Sequence, residues 1–213
     1  MMLQPDPKIE FFDHTHKFRY NGKWMVHSVT RAINDLTPQA LERIMATKDG
    51  PDGWAIRGNT VHNALEKHLL GLAGEAEYGF VYDEKWAPWI EPLLDHWLWE
   101  DCKVLGVEFK LCDPKKSLAG ILDFLIVDKN GNTILGDLKT VKTSKNIDQR
   151  KSADKQLGGY LMMLLDSHQL CVDKCVTLIS GPGTTAIKIS KPDDCLTSWL
   201  DAWIKFEAQQ PDF

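Results

Sequence analysis

The stretch ILDFLIVDKNGNTILGDLK, residues 121 to 139, constrains the fold more than any other part of the chain. Two apolar runs flank the turn signal DKNGN, so the segment reads as a β-hairpin. Each run carries charge that a buried strand does not tolerate unpaired: Asp123 in the first, Asp137 and Lys139 in the second. Side chains alternate along a strand, which puts Asp137 and Lys139 on one face and Ile134, Gly136 and Leu138 on the other. The turn decides how the two runs meet. A two-residue Asn130-Gly131 loop would set residue 129 against 132 and turn Asp123 away from Asp137. A three-residue loop, Lys129-Asn130-Gly131 with Gly131 left-handed, pairs 128 with 132 and 123 with 137.

We expect the second register. It brings two carboxylates opposite each other, with Cβ atoms about 5 Å apart, and a lysine one pleat away. Like charges so close repel unless a cation lies between them, and two hard oxygen donors suit Mg²⁺, with Mn²⁺ as a substitute. Taken alone, the same trio is equally an ion-paired strand end.

The flanking sequence supplies the architecture. Asn21-Gly22 marks a hairpin among short N-terminal strands, Ser28 or Thr30 is placed to cap a short helix, and Thr37-Pro38 opens another. From Trp54 to Leu70, Val61, Leu65 and Leu69 recur every four residues and Gly71 follows, the signature of an amphipathic helix. A second helix is expected over Asp83 to Cys102, with Pro88 and Pro92 positioned to kink or split it. VLGVEFKLC and the two hairpin runs are strands; a helix over Ile147 to Leu165, the strands CVTLIS and TAIKI, and a helix from Pro192 to Gln209 complete the chain. Helices before and after a run of strands imply α/β: a central mixed β-sheet flanked by helices.

With 213 residues, 43% of them hydrophobic, the chain can build one well-cored domain spanning 1–213, with 1–53 as an N-terminal strand and helix extension. Its longest apolar runs are too short for a bilayer and no signal-peptide pattern opens it, so a soluble, cytoplasmic protein with no membrane partner is expected. Five cysteines at irregular spacing fit a reducing compartment. The net charge of −5 excludes a protein that coats nucleic acid through overall charge, but Lys139, Lys142, Lys145, Arg150, Lys151 and Lys155 make the segment after the hairpin locally basic.

The ordered series Gly58-x-x-x-His62, Glu108, Gly120-x-x-Asp123, Asp137-x-Lys139 and Gln156-x-x-x-Tyr160 resembles the PD-(D/E)XK nuclease superfamily, and within it the RecB-type exonuclease branch with its phage-encoded members. The resemblance runs from Gly58 to Tyr160, about half the chain, and its specificity lies in the order of the elements. It implies a restriction-endonuclease-like core and a Mg²⁺-dependent deoxyribonuclease, an exonuclease in DNA recombination, repair or replication. His62, Asp123, Asp137 and the backbone carbonyl of Leu138 would hold the metal, with Glu108 as a further ligand. Lys139 would be the catalytic lysine, acting beside Asp137 and Asp123. Gln156 and Tyr160 would line the DNA channel, orienting the site or the strand, and Gly58 would allow close helix approach.

Lys142, Lys145, Arg150 and Lys151 are the accompanying DNA-binding candidates, for a single strand or a duplex end, with single-strand-binding or recombination proteins as possible partners. Several RecB-type nucleases carry an iron–sulfur cluster with a cysteine ahead of the histidine motif. None precedes His62 here, so no iron–sulfur cluster is expected. Two rival readings stand beside this one: a catalytically silent DNA-binding or assembly subunit with the same fold, and a nuclease acting on RNA.

Overall fold

The computed structural model describes residues 2–50, 53–75 and 80–210. Asn21 and Gly22 adopt φ of 47° and 79°, the left-handed pair of a tight hairpin. That turn joins β2 (Lys17–Tyr20) to β3 (Lys23–Trp24), and β1 (Ile9–Phe12) pairs with β2 to make a small antiparallel sheet. The chain then enters the main sheet as β4 (His27–Ser28). The Ser28 hydroxyl accepts from the Arg31 amide at 3.2 Å and caps α1 (Val29–Ala32). Thr37 caps α2 (Pro38–Met45) in the same way, with Pro38 in its first turn.

Helix α3 (Trp54–Leu72) buries the stripe read from the sequence, Val61, Leu65 and Leu69 each being at most 2% exposed. The helix expected over Asp83 to Cys102 is in three pieces: a 3₁₀ turn at Glu84–Trp86, α4 (Ala87–Leu94), and a second 3₁₀ turn at Trp97–Trp99. Pro88 opens α4, as its missing amide permits. Beyond Leu94, the His96 imidazole accepts from the Leu98 amide and starts the last turn afresh.

The hairpin is β6 (Leu118–Val127) and β7 (Thr133–Thr140), flanked by β5 (Lys103–Asp113), β8 (Lys174–Gly181) and β9 (Thr184–Ser190). The six-stranded sheet runs β4-β6-β7-β8-β9, with β5 paired along β6; β4/β6 and β7/β8 are parallel and the other pairs antiparallel. It is therefore a mixed sheet in an α/β fold. On one face it packs against α1, α5 (Asp154–His168) and α6 (Pro192–Glu207) through Leu122, Leu125 and Leu135, and on the other against α3 and α4 through Phe124, Ile126, Ile134 and Leu138.

Helix α5 starts at Asp154, not at Ile147. Other partners hold the seven residues before it. The Lys188 ammonium donates to the carbonyls of Asp148 and Arg150, the Ala153 amide donates to the Thr177 hydroxyl, and Ile147 is buried with Val141 and Ile179. These contacts spend the polar groups that a helix would have used for itself.

The turn follows the three-residue form. Gly131 has φ of 84°, the Asp128 amide donates to the Asn132 carbonyl at 2.9 Å, and Val127 pairs with Thr133, Ile126 with Ile134 and Phe124 with Gly136. The register is the expected one, but the ladder stops at the 124/136 pair, one step short of the two aspartates. Gly136 is required there. A Cβ built on it would lie 1.8 Å from Cζ of Phe124, whose ring covers the glycine from across the ladder.

Candidate metal centre

The site lies where β6 and β7 part. Past Phe124 and Gly136 the backbones no longer bond, and the Asp123 carboxylate takes over the freed amide of Leu138 at 2.6 Å. The carbonyl of Leu138 turns to α3, where Nε2 of His62 sits 3.1 Å away. Both backbone polar groups of Leu138 are thus held by side chains.

Two local distortions bring a second carboxylate to the same point. In β6, Leu122 packs with the α5 core while Phe124, two residues on, packs with the α3 core, so the alternation of faces slips at Asp123. In β5, Val107 packs on the α3 side and Phe109 on the α5 side, with Glu108 between them at φ of 44°. A left-handed backbone is costly for a glutamate and persists where its surroundings enforce it. Val107 pairs with Phe124 and Phe109 with Leu122, so both slips fall at one level of the β5/β6 ladder. They bring Glu108 and Asp123 to the His62 ring, 3.9 and 3.7 Å from its Nδ1. Ligand atoms of His62, Glu108 and Asp123 all lie within 4.8 Å of one another.

Burial alone would strip the His62 ring of its proton, but the carboxylates of Asp123 and Glu108 outweigh it and raise its pKa to about 9. Without a metal, an imidazolium therefore serves as the cation of this acidic pocket. The donor set of two carboxylates and one imidazole fits a hard or borderline divalent cation of the Mg²⁺ or Mn²⁺ kind, while the Leu138 carbonyl stands at the other ring nitrogen of His62.

Asp137 does not join the three clustered ligands. It is 1% exposed, and its carboxylate is turned to the Lys139 ammonium, at 2.8 Å through one oxygen and 2.7 Å through the other. Burial raises its pKa despite that lysine, and the charge of Asp123 adds to the rise. Lys139 also donates to Oε1 of Gln156 at 3.0 Å, and the amide of Gln156 donates to the Tyr160 hydroxyl at 3.4 Å. Gln156 and Tyr160, both largely buried on α5, therefore fix the lysine. Burial, followed by the charge of Asp123, drives the Tyr160 pKa upward, so its hydroxyl keeps its proton.

Of the other anticipated residues, Lys142, Lys145, Arg150 and Lys151 are all exposed on the connection from β7 to α5, next to the C-terminal end of the strand that carries Lys139. Gly58 is not demanded by packing, since a methyl there would meet only the Thr140 hydroxyl at an ordinary 3.9 Å. The sequence reading passed over Arg57. It is 7% exposed, its Nε has no hydrogen-bond partner among the described residues, and burial lowers its pKa. One turn back from Val61 along the 61-65-69 stripe falls on Arg57, and that spacing was the available signal.

No protein-family model matches the chain, and no curated protein does. Among solved structures it is similar to the crystal structure of SSO0001, with 17% identity over 87% of this chain and 76% of that one and a TM-score of 0.46. A likeness of that degree carries no argument about function.

Proposed function

We propose that this protein is a divalent-metal-dependent nuclease that hydrolyses DNA phosphodiester bonds, working as an exonuclease in recombination, repair or replication. One observation carries the reading: His62, Glu108 and Asp123 cluster at the strand fork, with the Leu138 carbonyl bonded to the same imidazole and Lys139 leaving the same segment of β7. A salt-bridged strand end has no use for two backbone distortions and a Leu138 whose amide and carbonyl are both taken up by side chains.

The reaction needs charge neutralised at an already anionic phosphate and water made nucleophilic. His62, Asp123 and the Leu138 carbonyl, with Glu108 beside them, would hold a Mg²⁺ or Mn²⁺ ion, which would supply both. Lys139, tethered by Asp137 and Gln156, donates hydrogen bonds from a fixed ammonium and orients the attacking water or a phosphate oxygen. Asp137 acts by positioning Lys139. Lys142, Lys145, Arg150 and Lys151 hold the strand through its phosphates.

The test is cleavage of end-labelled single-stranded DNA, duplex DNA and RNA with Mg²⁺ or with EDTA. DNA cleavage that disappears in EDTA and in Asp123→Asn is expected. Binding without cleavage would instead identify a silent subunit, and preferential cleavage of RNA would reassign the substrate. Cleavage by Asp123→Asn at the wild-type rate would refute the site.

A further inference from the structure

A second feature adjoins the fork. Along the edge of β6 opposite β5, β4 pairs with Leu118 and Ala119 and β7 with residues 124 to 127, leaving residues 120 to 123 without a ladder partner on that edge among the described residues. The interruption opens into a groove of about 290 Å³ floored by Gly120 and Ile121. Its inner wall is Gln156 and Tyr160, the pair that holds Lys139. Gly120 keeps this wall in place, since a Cβ there would come within 2.7 Å of the Tyr160 ring. The outer wall is aromatic and comes from the small N-terminal sheet and the connection between β1 and β2: Phe11 and Phe18 with ring centroids 4.7 Å apart, and His16 at 6.1 Å from Phe11. The Lys110 ammonium stands 5.7 Å from the centroid of the Phe11 ring.

We propose that this groove seats one unpaired nucleoside of the substrate strand beside the scissile phosphate, so that the substrate is single-stranded DNA or a frayed end. The inference rests on the nuclease reading and adds the substrate class. The volume of the groove is of the order of one nucleoside. Phe11 and His16 offer faces for a base to stack on without regard to sequence. The unladdered edge of β6 offers peptide donors and acceptors to the edges of base or sugar, and Lys110 offers a cation to the next phosphate. Gln156 belongs both to the groove wall and to the lysine clamp, which puts a seated nucleoside next to the reacting centre.

The test uses Lys139→Met protein with Mn²⁺, so that the DNA stays intact, and a 12-nucleotide strand carrying 2-aminopurine near its end, compared with a blunt duplex of the same sequence. Phe11→Leu keeps the packing volume and removes the aromatic face; His16→Ala, at an exposed position, guards against a folding artefact. The expected result is quenching of 2-aminopurine on binding, weaker binding of the blunt duplex, and an affinity for the single strand lowered about tenfold by each variant.

Equal affinity for the blunt duplex, or unchanged single-strand affinity in both variants, would overturn the inference. The nuclease reading fails separately. Metal-dependent cleavage unaffected by the groove substitutions sinks only the groove, whereas quenching without any wild-type cleavage sinks only the chemistry.

Discussion

Metal binding at the fork should be a proton exchange at His62, and its size follows from the structure. The carboxylates of Asp123 and Glu108 keep the ring protonated up to a pKa of about 9, while a metal takes the neutral imidazole. Around neutrality each Mn²⁺ bound must therefore displace close to one proton. Affinity should rise about tenfold, about 1.4 kcal/mol, from pH 7 to pH 8. Above pH 9 the rise should level off.

Calorimetry in buffers of differing ionisation enthalpy reads both the affinity and the proton count. His62→Gln should bind more weakly and lose the slope. A flat wild-type affinity between pH 7 and 8, or a slope that survives in His62→Gln, would refute the reasoning. The same linkage acts on the metal-free fold. A pKa raised from 6.5 to about 9 gives stability that is full below the lower value and lost as the pH climbs through the upper one.

Other substitutions separate the roles. Lys139→Met should reduce cleavage by about 10²-fold or more while leaving Mn²⁺ affinity within a few-fold of wild type; parallel losses in rate and affinity would make Lys139 a structural residue. Asp137→Asn should flatten the pH dependence of stability in urea melts. Burial raises the Asp137 pKa in the folded state, so its contribution is greatest in acid and falls as the carboxyl ionises, and an unchanged profile would show the group to be unstrained. Gly136→Ala should cost about 1–3 kcal/mol by overpacking against the Phe124 ring, and Phe124→Leu should recover part of it; a Gly136→Ala protein as stable as wild type would contradict the packing at the fork.

Much of the frame was legible because short-range chemistry sets it. The three-residue Lys129-Asn130-Gly131 turn fixed the hairpin register, the four-residue recurrence of Val61, Leu65 and Leu69 marked α3, and Asn21-Gly22 marked the first hairpin. What escaped depends on partners distant in sequence. Nothing in the local sequence says that β6 and β7 part after Phe124 and Gly136, because the cause is the Asp123 carboxylate replacing the next ladder bond. Alternation put Asp137 opposite Asp123, yet the carboxylate that stands beside Asp123 is Glu108, delivered by a left-handed residue that periodicity assumes away. The start of α5 was misplaced because Lys188 and Thr177, on β9 and β8, hold the chain ahead of it. The groove was invisible for a similar reason: its floor is a missing pairing, and its walls come from elements more than a hundred residues apart.

The central claim is that one divalent cation binds at the fork of β6 and β7, and crystals soaked in Mn²⁺ test it most directly through anomalous scattering. The account predicts a single strong peak within coordinating distance of His62, Asp123 and the Leu138 carbonyl. A saturating soak that leaves the His62 imidazole bonded to Leu138, with no peak among these residues, would contradict it.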